Sequence, residues 1–196
     1  MKRSGSVAWI AGLFLAVPVW AASPLESTRT TLEQARAIVA SDRTHNDKLA
    51  ELNALFRTFL DTDAMGRAAL GRHWSRFTPP QQREFLTLFR ELLQRTYVQK
   101  LLLFEHPNFG YVAEHCHDDQ ARVDTTIITP RDEFAVVYEL RAAGDRWLAT
   151  EIRVEDVSLT TNLGSQLDRL VAKASVEDLL GQLRRKYGDG QGAGSR

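Results

Sequence analysis

Near residue 108 the hydrophobic repeat of this chain changes from helical spacing to strand alternation, and near residue 160 it changes back. A repeat of about 3.6 residues lines one face of a helix, and a repeat of about 2 lines one face of a sheet. Such a chain therefore folds as helices, then sheet, then helices. Before the first change, Leu32, Ala35, Ile38 and Val39, then Leu49, Leu52, Leu55, Phe56 and Phe59, mark two helices between Pro24 and Leu60, parted near Ser41 to Asn46. Asp61 is placed to cap a short third helix ending around Leu70-Gly71. A calcium loop beginning at Asp61 is excluded, because Met65 and Arg72 stand where oxygen ligands are needed.

Thr78-Pro79-Pro80-Gln81 is a helix start, with Thr78 as N-cap, Pro79 in the first helical position and Gln81 completing a capping box. The long helix it opens carries a wide apolar stripe of Phe85, Leu88, Phe89, Leu92, Leu93, Tyr97, Leu101 and Leu102, with Arg83, Thr87, Arg90 and Gln94 opposite. A stripe of that width predicts a broad cover such as a sheet face. Four strands are predicted at Phe109–Glu114, Ala121–Thr129, Glu133–Arg141 and Arg146–Leu159, separated by turn-forming residues at Asp118-Asp119, Pro130-Arg131-Asp132 and Ala143-Gly144-Asp145. Asn162 is a cap for a helix over Leu163–Ala174, and Ser175 with Asp178 predicts a last helix to about Tyr187. Residues 188–196 form a glycine-rich tail with nothing to bury, and disorder is expected there. The whole is one α+β domain, helices covering an antiparallel sheet.

With 43% hydrophobic and 26% charged residues, the composition excludes global disorder. Beyond residue 21 the formal charge is −2, which argues against a nucleic-acid binder relying on phosphate neutralisation. The 20 arginines against 5 lysines read as genome composition rather than phosphate recognition. A single cysteine, Cys116, excludes an intrachain disulfide and a multi-thiolate zinc site.

The amino terminus has the layout of a secretory signal peptide: Lys2-Arg3, an apolar run from Val7 to Val17, and small residues around Val19-Trp20-Ala21. Cleavage after Ala21 would leave Ala22 first, so residues 1–21 are assigned to the signal and 22–187 to the domain. An uncleaved anchor is the alternative, but the apolar core falls short of the roughly 20 residues a spanning helix needs. The expected location is an oxidising, ATP-free compartment, a bacterial periplasm.

Few residues suggest chemistry. His115 and His117, with Cys116, Asp118 and His106 nearby, are of metal-ligating types, but no further donor pair at ligand spacing follows. A solvent-facing hairpin end is the plainer reading, with no metal bound and Cys116 buried as a small apolar residue. His73 would qualify as a general base only if buried beside a carboxylate. Arg184-Arg185-Lys186 reads as a solvated helix end. Serine elbows, metalloprotease histidine pairs and phosphate-binding glycine loops are missing.

Several segments together resemble one family. Leu70-Gly71-Arg72-His73-Trp74, Thr78-Pro79-Pro80-Gln81-Gln82-Arg83-Glu84-Phe85, then Phe89, Leu92-Leu93 and Thr96-Tyr97 are similar to the MlaC, or toluene-tolerance, family of periplasmic phospholipid-binding proteins. Val123-Asp124-Thr125-Thr126-Ile127, Val137-Tyr138-Glu139-Leu140, Trp147 and Val157-Ser158-Leu159 come in the family's order, and the resemblance spans about Thr31 to Lys186. The chain departs from it at Asn162-Leu163-Gly164-Ser165-Gln166-Leu167, where the family usually shows Asn-Tyr-Arg-Ser-Gln-Phe.

The resemblance implies a fold similar to nuclear transport factor 2, a curved antiparallel sheet covered by helices, in a lipid shuttle of the Mla system. Its partners would be phospholipid, an outer-membrane lipoprotein complex and an inner-membrane ABC transporter with an MCE domain. Catalysis and a cofactor are not required of a carrier, the lipid being cargo. From the helical and strand periodicities, Leu88, Leu92, Tyr97, Val137, Tyr138 and Trp147 are nominated to enclose acyl chains. The alternative is an enzyme of the same fold, with an acid or base in its cavity.

Overall fold

The computed structural model describes residues 22–103, 107–172 and 175–188. Its helices begin where the polar residues before them supply caps. Helix α1 (Pro24–Ala40) starts at Ser23, whose hydroxyl accepts from Glu26 N–H, and α2 (His45–Phe59) starts at Thr44, which accepts from Asp47 N–H. Helix α3 (Thr62–Leu70) is capped by Asp61, whose Oδ1 accepts from Ala64 N–H at 2.9 Å. It stops at Gly71, where φ is +48°, a conformation that favours glycine, and a 3₁₀ segment (Gly71–Arg76) comes next. At the start of α4 (Pro79–Leu93), Thr78 N–H donates to Gln81 Oε1 at 2.9 Å.

The long helix predicted from Pro79 is not one rod. A π-turn (Gln94–Val98) separates α4 from a last single turn, α5 (Gln99–Leu101). A π-turn inserts a residue and rotates the helical turns beyond it, so the wide stripe resolves into two faces. Phe85, Leu88, Phe89, Leu92 and Leu93 enter one core, while Val98, Leu101 and Leu102 pack against α1 and α2 in another.

Five strands form an antiparallel meander in sequence order: β1 (Asn108–His117), β2 (Gln120–Ile128), β3 (Glu133–Ala143), β4 (Arg146–Val154) and β5 (Val157–Ser158). The fourth predicted strand is thus two, folded back at Glu155-Asp156, both with positive φ (49° and 62°), the signature of a two-residue hairpin turn that the residue types did not advertise. Register shifts leave Val112 on β1 and Thr150 on β4 without a partner, and such bulges bend the strands that carry them. Helices α6 (Leu159–Val171) and α7 (Val176–Tyr187) complete the domain.

The sheet does not cover the stripe of α4, contrary to the expectation from its width. Helices α3, α6 and α7 cover it, giving an all-helix core around Met65, Phe85, Phe89, Leu167 and Leu180. The sheet is roofed by α1 and α2, with Leu32 and Phe59 set against Val123, Val136, Tyr138, Leu140, Trp147 and Ala149. Apolar faces of similar width satisfy each other wherever the chain brings them together, and here helix meets helix. The α+β single-domain architecture with helices over an antiparallel sheet stands as expected. No helix among the described residues is long and apolar enough to cross a membrane. The signal segment, His106 and the tail beyond residue 188 lie outside the described residues.

Candidate functional site

The layer between the sheet and the α1–α2 roof is where a buried apolar surface meets a polar rim. Alternation along β2 and β3 sends Val123, Val136 and Tyr138 to one face, where Tyr138 meets the ring of Phe59 edge-on with centroids 5.8 Å apart. Thr125, also buried on β2, satisfies its hydroxyl by donating to the Val136 carbonyl at 2.9 Å. Burial drives the phenol of Tyr138 well above the ordinary tyrosine range, and the neighbouring Tyr111 pushes the same way.

Polar contacts tie the roof to the sheet edge. Leu25 N–H donates to Glu114 Oε1 at 3.0 Å, Tyr111 Oη–H donates to Glu33 Oε1 at 3.1 Å, and the Arg29 guanidinium lies 4.2 Å from the centre of the Tyr111 ring. Desolvation first, then the hydrogen bond to Glu33 and its charge, push Tyr111 up to about 12, with Arg29 and Arg36 opposing. A folded-state pKa above the unfolded value of about 10 gives stability that is complete below pH 10 and lost as pH rises through about 12. Tyr111→Phe is therefore expected to show a shallower loss of melting temperature than the parent between pH 10 and 12, measured by circular dichroism. Parallel curves would mean that Tyr111 does not hold the roof.

The nominated residues are divided by this geometry. Tyr138 and Trp147 face the helix–sheet layer. Leu88 and Leu92 are in the all-helix core and Tyr97 packs against it. Val137 falls on the opposite face of the sheet, paired with Asp124 on one side and Arg153 on the other, among ion pairs such as Arg122–Asp124 and Arg153–Glu139. The six therefore do not enclose one space. Leu32, Phe59, Val123 and Val136, which line the layer, carried the right periodicity, but nothing local in the chain pairs them.

Other candidates are placed plainly. His115, Cys116 and His117 are all exposed at the end of β1 that turns into β2, so the solvent-facing hairpin end stands but the expectation of a buried Cys116 is corrected: its side chain too is exposed there. His115 faces Asp124 at 3.6 Å and His117 faces Asp118 at 3.2 Å, and no group of three or more ligating side chains occurs among the described residues. His73 does lie beside a carboxylate, with Nε2 at 2.6 Å from Asp168 Oδ1 and its side chain 13% exposed. Arg76 can only donate, so at 3.3 Å it makes Nδ1 the acceptor and leaves Nε2–H to donate to Asp168. Both ring nitrogens are thus engaged. Arg72 adds bonds of 2.9 and 3.0 Å to the same carboxylate, which is held below its usual range first by the His73 hydrogen bond and then by Arg72. The arrangement staples the 3₁₀ segment to α6, outside the helix–sheet layer.

A groove of about 670 Å³ runs along α6, lined by Arg153, Ser158, Thr161, Asn162, Ser165 and Arg169 among others. Its size is within the range of ligand sites, roughly 300–1,000 Å³, but its lining is polar and open, unlike an acyl-chain chamber.

An antiparallel meander roofed on one face by helices defines a class of small α+β domains, and one solved protein has this fold closely. A phospholipid-binding protein from Ralstonia solanacearum, solved in complex with a phospholipid, superposes with a TM-score of 0.77 at 21% identity, covering 85% of this chain and 98% of that chain. The family described as MlaC protein matches residues 27–185. The chain belongs to the MlaC family.

Proposed function

We propose that this protein binds a phospholipid in its helix–sheet layer and carries it through the periplasm, between an outer-membrane lipoprotein complex and an inner-membrane ABC transporter with an MCE domain. The observation that carries the reading is the match in fold, over nearly all of its length, to a protein solved with a phospholipid, within a family that spans this domain. The chemistry of the layer supports it. Each methylene withdrawn from water is worth about 0.8 kcal/mol, so acyl chains need an apolar lining over most of their length. The inner face of the sheet offers that lining, and the roof that would have to part from it is tied at its edge by the contacts of Glu33 and Glu114. No reaction is part of the proposal. A passive carrier needs no nucleophile, and direction would come from partners that bind its loaded and empty forms differently.

The test is recovery of the exported protein from periplasm without detergent, and then native mass spectrometry. The expected species begins at Ala22 and carries close to one phospholipid per chain. Protein recovered with Met1 intact in the membrane fraction would contradict the export step, and a lipid-free chain that takes up none from vesicles would contradict the carrier.

A further inference from the structure

Four elements bring charged side chains to one pocket of about 340 Å³ at the start of α3: Arg57 from α2, Asp61 and Asp63 around the helix start, Arg90 from α4 and Arg146 from β4. The charges do not cancel. Asp61, 8% exposed, is held by Arg141, whose Nε donates to Oδ2 at 2.6 Å, while its Oδ1 caps Ala64. Asp63 faces Arg90 Nη2 at 3.4 Å, and Arg90 Nε reaches Thr62 Oγ1 at the same distance. Each carboxylate thus has its own arginine. Arg57 and Arg146 remain, and the side chain of neither has an ion-pair or hydrogen-bond partner among the described residues.

Two uncompensated guanidinium groups, from segments about ninety residues apart in the chain, share this concave wall with Arg90, whose existing bonds are long enough to be exchanged. Each presents a planar fork of donors matched to the oxygens of a phosphate. We infer that the pocket bounded by Arg57, Arg90 and Arg146 is a phosphate-binding site, for the phosphate of a lipid headgroup or for free phosphate. Leu60 and Leu148 supply its apolar wall, and Leu60 also packs against both the all-helix core and the helix–sheet layer. The site stands on its own charges and does not rest on where acyl chains lie.

The experiment titrates the purified protein with inorganic phosphate at constant ionic strength, set with chloride so that general screening is unchanged, and monitors backbone amides by NMR. Saturable shifts are expected at Thr62, Asp63 and Leu148. The double variant Arg57→Gln/Arg146→Gln is expected to weaken binding at least about tenfold, a loss of about 1.4 kcal/mol. Arg83→Gln, on the outer face of α4, is expected to leave it unchanged, and the dispersion of each spectrum shows that the fold is retained. Absence of saturable shifts in the parent, or equal affinity in the double variant, overturns the site. Mass spectrometry of co-purified lipid separates the sources. A fall in total phospholipid per chain in the double variant identifies the lipid phosphate, and unchanged lipid content beside lost phosphate binding identifies free phosphate. A parent protein without lipid counts against the carrier reading alone.

Discussion

Val136→Trp is expected to strip this protein of its proposed phospholipid cargo, whereas Leu92→Trp is expected to leave that cargo in place and the protein less stable. Both residues are buried, at 1% and 6% exposure, and both variants add an indole to an apolar cluster. Their surroundings differ. Val136 is on the sheet face under Leu32 and Phe59, where an acyl chain would run, and Leu92 is between helices that have nothing to admit. Extra bulk in a filled core costs about 1–3 kcal/mol, so Leu92→Trp should lower the melting temperature with lipid content unchanged. At Val136 the indole competes with cargo for space that the roof can yield, and lipid per chain should fall by about an order of magnitude with a smaller change in stability. Lipid content and melting temperature measured side by side decide the matter. Equal destabilisation with lipid retained in both would remove the helix–sheet layer as the cargo site, and loss of lipid from Leu92→Trp alone would move the site to the all-helix core.

The second large effect is expected at Gly164, where the family's usual residue is arginine. Helix α6 passes so close to α3 that a Cβ built on Gly164 would stand 2.9 Å from the Ala69 carbonyl oxygen and 3.6 Å from the Ala69 Cα. A backbone oxygen cannot rotate away as a side chain can. Gly164→Ala gains about 1 kcal/mol of helix preference and must move one helix against the other, which costs about 1–3 kcal/mol, so a net loss is expected. Gly164→Arg has a larger volume to place in the same contact, and its cost should be a substantial share of the roughly 5–15 kcal/mol that holds a domain together. Urea unfolding checks this: the midpoint should fall in the order parent, Ala, Arg, with an unchanged slope. A stable arginine variant would show that α6 tilts freely, and the contact with Ala69 would then carry no constraint.

The same six-residue stretch shows what residue identity could and could not reveal. Leu163 and Leu167, in place of the family's tyrosine and phenylalanine, are buried in the all-helix core, so they are packing residues here. Asn162, Ser165 and Gln166, which agree with the family, are exposed along the polar groove. Glycine in a helix reads as a weakness from sequence, because its conformational cost is local, whereas the reason for it is the backbone of another helix almost a hundred residues earlier.

Much of the architecture was legible from the chain alone. The capping residues Asp61, Thr78 and Ser175 act within a few residues of themselves, and each starts the helix that its position indicates, whereas α6 starts at Ser158 rather than at Asn162, because the Ser158 hydroxyl already accepts from Thr161 N–H. Alternation placed β1 to β4, since facing is settled residue by residue along a strand. Periodicity also named the apolar faces of α1, α2 and α4, though not Met65, Val136, Leu179 or Leu180, which are as deeply buried, and it reports only that a face is apolar, not which face it will meet. Tertiary structure alone decided that α4 turns to α3, α6 and α7 while α1 and α2 roof the sheet and, since alternation by itself only puts Val137 and Tyr138 on opposite faces of β3, that Tyr138's face is the roofed one. It alone brought Arg57, Arg90 and Arg146 to one pocket. Hydrophobic burial is non-directional, so the pattern along the chain establishes that surfaces must be covered, and only the packed chain selects their partners.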